Sequence, residues 1–139
     1  MNKALLDTDI FSEYLKGHDQ RVRQNAAIYR QLFGSLTISV VTAMEIIKGL
    51  HKMRREQEIQ ALLGRLASEE VFAFDIAASE YAGRIHADLE RMGQPIGWAD
   101  IVIAAIALRH GLELVTGNTA HYQRIQQIGH PLVLINWRL

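Results

Sequence analysis

An α/β fold, with a mostly parallel sheet of about five strands and helices on both faces, is what the order of apolar patterns in this chain predicts. Short apolar runs rich in Leu, Ile and Val alternate with longer segments of helical period. One of those helical segments, from Trp98 to His110, is apolar almost all round, as a helix buried against a sheet must be. Oxygen-bearing side chains stand where apolar runs end, at Asp7, Glu45, Asp100 and Asn118. In a parallel sheet those ends gather along one edge, where ligands bind.

Taken in order, Lys3–Leu6 reads as a strand, and Asp9 as the N-cap of a helix through Lys16. Residues 20–33 put Val22, Ala26, Tyr29 and Phe33 on one helical face, and Gly34 ends that helix. Leu36–Val40 reads as a buried strand, followed by a helix from Ala43 to about Met53. A second amphipathic helix then carries Ile59, Leu62, Leu63 and Leu66. Val71–Phe74 reads as a strand. Residues 77–92 form a helix with Ala78, Tyr81, Ala82, Ile85, Leu89 and Met92 along one stripe. Gly111 stops the Trp98–His110 helix, and Leu114–Thr116 and Leu132–Ile135 supply the last two strands. No repeat or Pro/Gly/Ser linker divides the chain, so residues 1–139 are expected to form one domain.

Lys plus Arg equals Asp plus Glu at 15 each, so no global basic field draws in nucleic acid. Any such affinity must come from a local patch or a bound cation. Cysteine is absent, which removes disulfides, zinc thiolates and thiol catalysis together. Asp7 and Asp9 interrupt the apolar start, unlike a signal peptide. The longest apolar run, Ile101–Leu108, falls far short of the ~20 residues that span a membrane, so a soluble cytoplasmic protein is expected.

Asp100 is the most informative residue, the one acid in an otherwise apolar helix. It reads either as a first-turn carboxylate favoured by the helix dipole, or as a charge kept there to bind a cation, since an unpaired buried carboxylate is costly. Asp7 is a turn residue or, with Asp9 capping the helix, a carboxylate free to face the crevice. Glu45 has a rival role too, because Thr42-Ala43-Met44-Glu45 matches a capping box. Thr116 and Asn118 build a simple turn around Gly117 or direct their oxygens at a ligand. Three carboxylates on one edge would repel one another unless a hard divalent cation such as Mg²⁺ neutralised them. Lys48, His51, Lys52, Arg54 and Arg55 form a basic cluster that reads as a solvated helix face or a phosphate-steering patch. No zinc spacing, P-loop or nucleophile elbow is present.

Together these stretches resemble the PIN-domain family, and within it the VapC-type toxins of bacterial toxin–antitoxin pairs. Leu-Leu-Asp-Thr-Asp-Ile at 5–10 resembles the opening motif, with Asp9 where the family commonly has Asn. Thr-Ala-Met-Glu-Ile-Ile-Lys-Gly at 42–49 resembles its Glu-bearing helix. Pro-Ile-Gly-Trp-Ala-Asp-Ile-Val-Ile-Ala-Ala at 95–105 resembles the segment of the third acid, and Leu-Val-Thr-Gly-Asn at 114–118 the last strand and fourth polar position.

The resemblance implies a three-layer α/β/α sandwich and a Mg²⁺- or Mn²⁺-dependent endoribonuclease that hydrolyses phosphodiesters by in-line attack of water, leaving 5′-phosphate and 3′-hydroxyl ends. It makes Asp7, Glu45 and Asp100 the metal-binding acids and Asn118 the fourth site residue, with Thr8 and Thr116 orienting carboxylates or water. It also implies RNA as substrate, a VapB-type antitoxin as partner and a homodimer, with the Ile59–Leu66 stripe available to a partner or to the chain's own core. Some members carry an acid where this chain has Asn118, so one tight ion is expected, with substrate phosphate recruiting any second.

A DNA-cleaving PIN nuclease and a non-catalytic PIN-fold binding module are the alternatives. A phosphoacceptor receiver domain would use Asp7, Asp9, Asp75 and Thr116, but it needs a Lys after the last strand, and no Lys follows Lys52.

Overall fold

The structure, a computed structural model, describes residues 1–139. Strands β1 (Ala4–Leu6), β2 (Thr37–Ser39), β3 (Glu70–Phe72), β4 (Glu113–Val115) and β5 (Leu134–Ile135) alternate with seven helices. These are α1 (Thr8–Lys16), α2 (Gln20–Phe33), α3 (Val40–Lys52), α4 (Glu56–Leu66), α5 (Ile76–Arg91), α6 (Trp98–His110) and α7 (Thr119–Gln127). The expected α/β/α sandwich with a parallel sheet is what forms. The ladder β1-β4-β5 is parallel, as is β2-β3. β2 lies beside β1, giving a spatial order of β5-β4-β1-β2-β3.

Period-two alternation sends side chains to two separate cores. Leu5 of β1 and Leu114 of β4 join a cluster with α5, α6 and α7, whereas Ala4, Leu6 and Val115 join one with α1, α2 and Leu62 of α4. The apolar helix α6 is the centre of the first cluster: Ile101 through Ala107 are all buried. Its end is set by Gly111 at φ 63, a left-handed conformation that closes the helix at little cost to glycine. No helix is long and apolar enough to cross a membrane.

The β1–β2 seam is closed by a side chain. Tyr29 of α2 is buried, and its hydroxyl accepts from the Ala4 amide at 3.1 Å while lying 3.0 Å from the Ala4 carbonyl and 2.7 Å from Thr37 Oγ1. Backbone groups of Ala4 that face β2 are thereby satisfied without a ladder bond.

Three local expectations are corrected. Asp7, not Asp9, caps α1, accepting from the Ile10 amide at 2.9 Å. Ser39, not Thr42, caps α3, so that helix starts at Val40 and the preceding strand ends earlier than expected. Thr42 is buried inside the first turn of α3, its hydroxyl 3.1 Å from Thr8 Oγ1, so no capping box forms. In the Ile59–Leu66 stripe, Ile59 and Leu62 complete the chain's own core and Leu63 is left 46% exposed.

Removing the Tyr29 hydroxyl should expose how much the seam depends on it. Tyr29→Phe leaves the Ala4 amide buried without an acceptor, a loss of about 1–3 kcal/mol that equilibrium urea unfolding should detect.

Candidate active site at the carboxyl edge of the sheet

Helices α1 and α3 leave the carboxyl ends of β1 and β2, and the Thr116–Asn118 turn leaves that of β4. The chain runs from β1 to β2 on one side and places β4 on the other, so a crevice opens between β1 and β4, the topological switch point. Asp7 and Thr116 lie at that crevice.

Asp7 is only 4% exposed. Its Oδ1 takes the Ile10 amide, and its Oδ2 accepts a short hydrogen bond from the Thr116 hydroxyl. That second bond ties β1 to β4 beyond their ladder. Burial raises the Asp7 pKa from 3.8 to about 6; the two hydrogen bonds oppose it, and the charges of Asp9 and Asp100 add to it. Thr116 is buried as well, and its Oγ1 also accepts the Asn118 amide at 2.9 Å.

The early start of α3 moves Glu45 into the second helical turn, where Thr8 donates to its Oε1 at 2.5 Å. Glu45 is thus freed from capping and turned towards α1. Asp100 has two partners: His121 Nδ1 lies 3.0 Å from Oδ2, and the Tyr122 hydroxyl donates to Oδ1 at 3.2 Å. Its side chain is 27% exposed, so the head of α6 opens to solvent although the body is buried. Burial first, then the charges of Asp7, Asp100 and Glu45, push the Tyr122 phenol well above its usual range. The Tyr122 hydroxyl thus bonds one acid, Asp100, and is acted on by the charges of Asp7 and Glu45.

Asn118 is exposed at the rim, its amide 3.0 Å from His121 Nδ1. A carboxylate at Asp100 can only accept, so the ring proton belongs on Nδ1 and is donated to Asp100 Oδ2. Residues His121 and Tyr122 escaped the sequence reading. The available signal was their position on the helix after the Asn118 turn, three and four residues along, where that helix faces back to the crevice.

No three Asp, Glu or His side chains stand close enough to share one ion as placed. The donor chemistry nonetheless suits a hard cation: all three acids offer oxygen, and each carboxylate oxygen in a protein hydrogen bond keeps a second lone pair. Asp9 is engaged elsewhere, in a two-pronged pair with Arg138. Asp75 caps α5 through the Ala78 amide and pairs with Arg109, so the acid set of a receiver domain does not assemble. Lys48, His51, Lys52, Arg54 and Arg55 are all exposed. Beside the acids, a groove of about 640 Å³ runs between α1, α3 and α4, from Thr8 and Glu45 past Leu50 and Leu62 to Arg65.

The PIN domain family model matches residues 4–126. The chain belongs to the PIN-domain family. Within it, the tRNA(fMet)-specific endonuclease VapC of Shigella flexneri is 35% identical over 90% of this chain and 93% of its own length. The corresponding endonuclease of Salmonella typhimurium is 32% identical over 92% of this chain and 96% of its own. Among solved structures, VapBC2 of Rickettsia felis bound to a promoter DNA fragment superposes with a TM-score of 0.81 at 27% identity, covering 96% of this chain and 98% of that one. VapBC-1 of nontypeable Haemophilus influenzae gives 0.82 at 27% identity, covering 98% of each chain. The chain is thus a PIN-domain protein of the VapC ribonuclease group.

Asp7 generates a prediction for the cation-free protein. Its folded pKa lies above its unfolded one, so the folded state holds the extra proton, and stability falls as pH rises from about 4 through about 6. At ~1.4 kcal/mol per tenfold change in proton affinity, the loss across that window is roughly 3 kcal/mol. Asp7→Asn, which keeps an acceptor for the Ile10 amide, should therefore melt higher than the parent at pH 7.5 in EDTA and lose that advantage at pH 4. An unchanged melting difference between the two pH values would show that Asp7 is not desolvated as described.

Proposed function

We propose that this chain is a Mg²⁺- or Mn²⁺-dependent endoribonuclease toxin, acting in the cytoplasm as one domain and restrained by a VapB-type antitoxin. The observation that carries the reading is the placement of oxygen donors around the switch point of the sheet: Asp7 is buried there on Thr116, Glu45 is held by Thr8 at the start of α1, and Asp100 is held by His121 and Tyr122. Burial and the nearby charge of Asp100 make an ionised Asp7 costly at this sheet edge, a cost that a cation would offset. Full-length similarity to VapC endonucleases supports the same reading.

In this reading Asp7, Glu45 and Asp100 hold the ion. When bound, it supplies Lewis acidity, lowering the pKa of water and offsetting charge on the phosphate oxygens. Thr116 and Thr8 keep Asp7 and Glu45 turned to the crevice, and His121 and Tyr122 do so for Asp100. Asn118, at the open rim, is placed to meet the substrate. Water adds to phosphorus and the bond to the 3′-oxygen breaks, leaving a 5′-phosphate and a 3′-hydroxyl. The groove from Glu45 to Arg65 suits an antitoxin segment, because a peptide lying there would reach the acids. We further propose a homodimer, which light scattering should register as twice the monomer mass.

The relatives' names make tRNA(fMet) the first RNA to assay. Purified protein should cleave it with Mg²⁺ and stop when EDTA is added. Asp100→Asn and Glu45→Gln should each lower kcat by about a thousandfold or more while circular dichroism stays unchanged, and the two losses should not add. A fully active Asp100→Asn protein would falsify the assignment.

Metal number follows from charge. With Asn118 neutral and Asp9 engaged by Arg138, calorimetry on RNA-free protein should find one Mn²⁺ equivalent and no second. Asn118→Asp should tighten that site or add a second equivalent.

A further inference from the structure

Arg138 lies 129 residues from Asp9 in sequence, yet its Nη1 and Nη2 reach the two Asp9 oxygens at 2.8 and 3.2 Å. Asp9 sits in the first turn of α1, two residues after Asp7. Between Asp9 and Arg138 lies Gly117, and its surroundings show what the missing side chain makes room for. It is absent from the positive-φ residues, so conformation does not demand it. Space does. A methyl group at Gly117 would overlap Arg138 Nη1 and stand 3.2 Å from Arg138 Cζ and 3.1 Å from Asp9 Oδ2. The guanidinium therefore points its Nη1 end-on at the turn that joins Thr116 to Asn118.

That guanidinium arrives along a fixed path. Trp137 is buried against Tyr29, with ring centroids 5.9 Å apart. Asn25 of α2 donates to the Trp137 carbonyl at 3.2 Å, and Asn136 Oδ1 accepts the Arg138 amide at 2.9 Å. The segment after β5 is thus tied into the α2 side of the core before its arginine crosses to the crevice.

We propose that Arg138 is a positioning residue for the nuclease site: clamped by Asp9 over Gly117, it locks the Thr116–Asn118 turn against the first turn of α1. Thr116 Oγ1 holds Asp7 and receives the Asn118 amide, so a shift of this turn moves Asp7, Thr116 and Asn118 relative to one another. Both terminal nitrogens of Arg138 are on Asp9, and its side chain is 31% exposed. It acts through the turn and not by gripping RNA. The claim rests on the nuclease reading only for its activity arm.

The test is a double-mutant cycle between Arg138→Ala and Gly117→Ala, with Arg138→Lys alongside, assayed on tRNA(fMet) with Mg²⁺ and by amide hydrogen exchange. Gly117→Ala displaces the Nη1 end of the guanidinium, so it should weaken the same clamp that the arginine deletion removes. Each single change should lower kcat by about tenfold or more, as a small misplacement of reacting groups does, with KM altered by less than about threefold. The double variant should be no worse than the worse single one, since both break one interaction. Arg138→Lys, which keeps the charge but not the fork, should fall between wild type and Arg138→Ala. The Asn118 amide should exchange at least about tenfold faster in both single variants, with α6 amides unaltered.

A loss confined to KM would make Arg138 a phosphate contact and overturn the proposal. So would multiplicative losses in the double variant, or unchanged exchange at Asn118. If wild-type protein itself leaves tRNA(fMet) intact, the substrate or nuclease reading fails, and exchange at Asn118 still decides whether Arg138 locks the turn.

Discussion

Burying the carboxylate of Asp7 between two parallel strands is the constraint on which this edge of the molecule depends. A charge in that position loses most of its water, and the neighbouring charges of Asp9 and Asp100 make the loss worse. What holds it there is a set of neutral donors: the Ile10 amide at the start of α1 and the Thr116 hydroxyl at the end of β4. The second of these also fixes β4 to β1 at the crevice. One hydrogen bond therefore ties the sheet edge together and offsets part of the cost of burying the charge.

The same solution recurs around the crevice. Thr8 serves Glu45, Tyr122 and His121 serve Asp100, and Arg138 serves Asp9. Each acid is restrained by a donor from a different element, so the acids are held in place without being cancelled, save at Asp9. Only Asp9 meets a permanent cation, which leaves Asp7, Glu45 and Asp100 as the negative edge that a divalent ion would meet. Packing and charge pull in opposite directions here, because the packing that orients Asp7 also penalises its charge.

Elements with a strong period or a clear stop were legible in the sequence. The buried helix α6 and its Gly111 terminus, the Gly34 end of α2, and the α5 stripe follow from side-chain pattern alone. Capping was not. Asp7 and Asp9 both satisfy the local rule, as do Ser39 and Thr42, and the rule cannot choose between neighbours two or three residues apart. Packing chose. Thr42 is drawn inward beside Thr8, and Asp9 outward to Arg138, leaving Ser39 and Asp7 at the helix starts. The roles of His121, Tyr122 and Arg138 had little or no local signature, since each depends on a partner 21 or more residues away.

By itself, the sequence determined the α/β class, the parallel sheet and the acids at its carboxyl edge, because side-chain period and the polarity of strand ends are local properties of the chain. Only the tertiary structure decided which acid caps and which is free, which histidine and tyrosine answer Asp100, and why residue 117 has no side chain. Those choices are made by contacts between segments up to 129 residues apart, and their energies exist only once the sheet has brought the segments together.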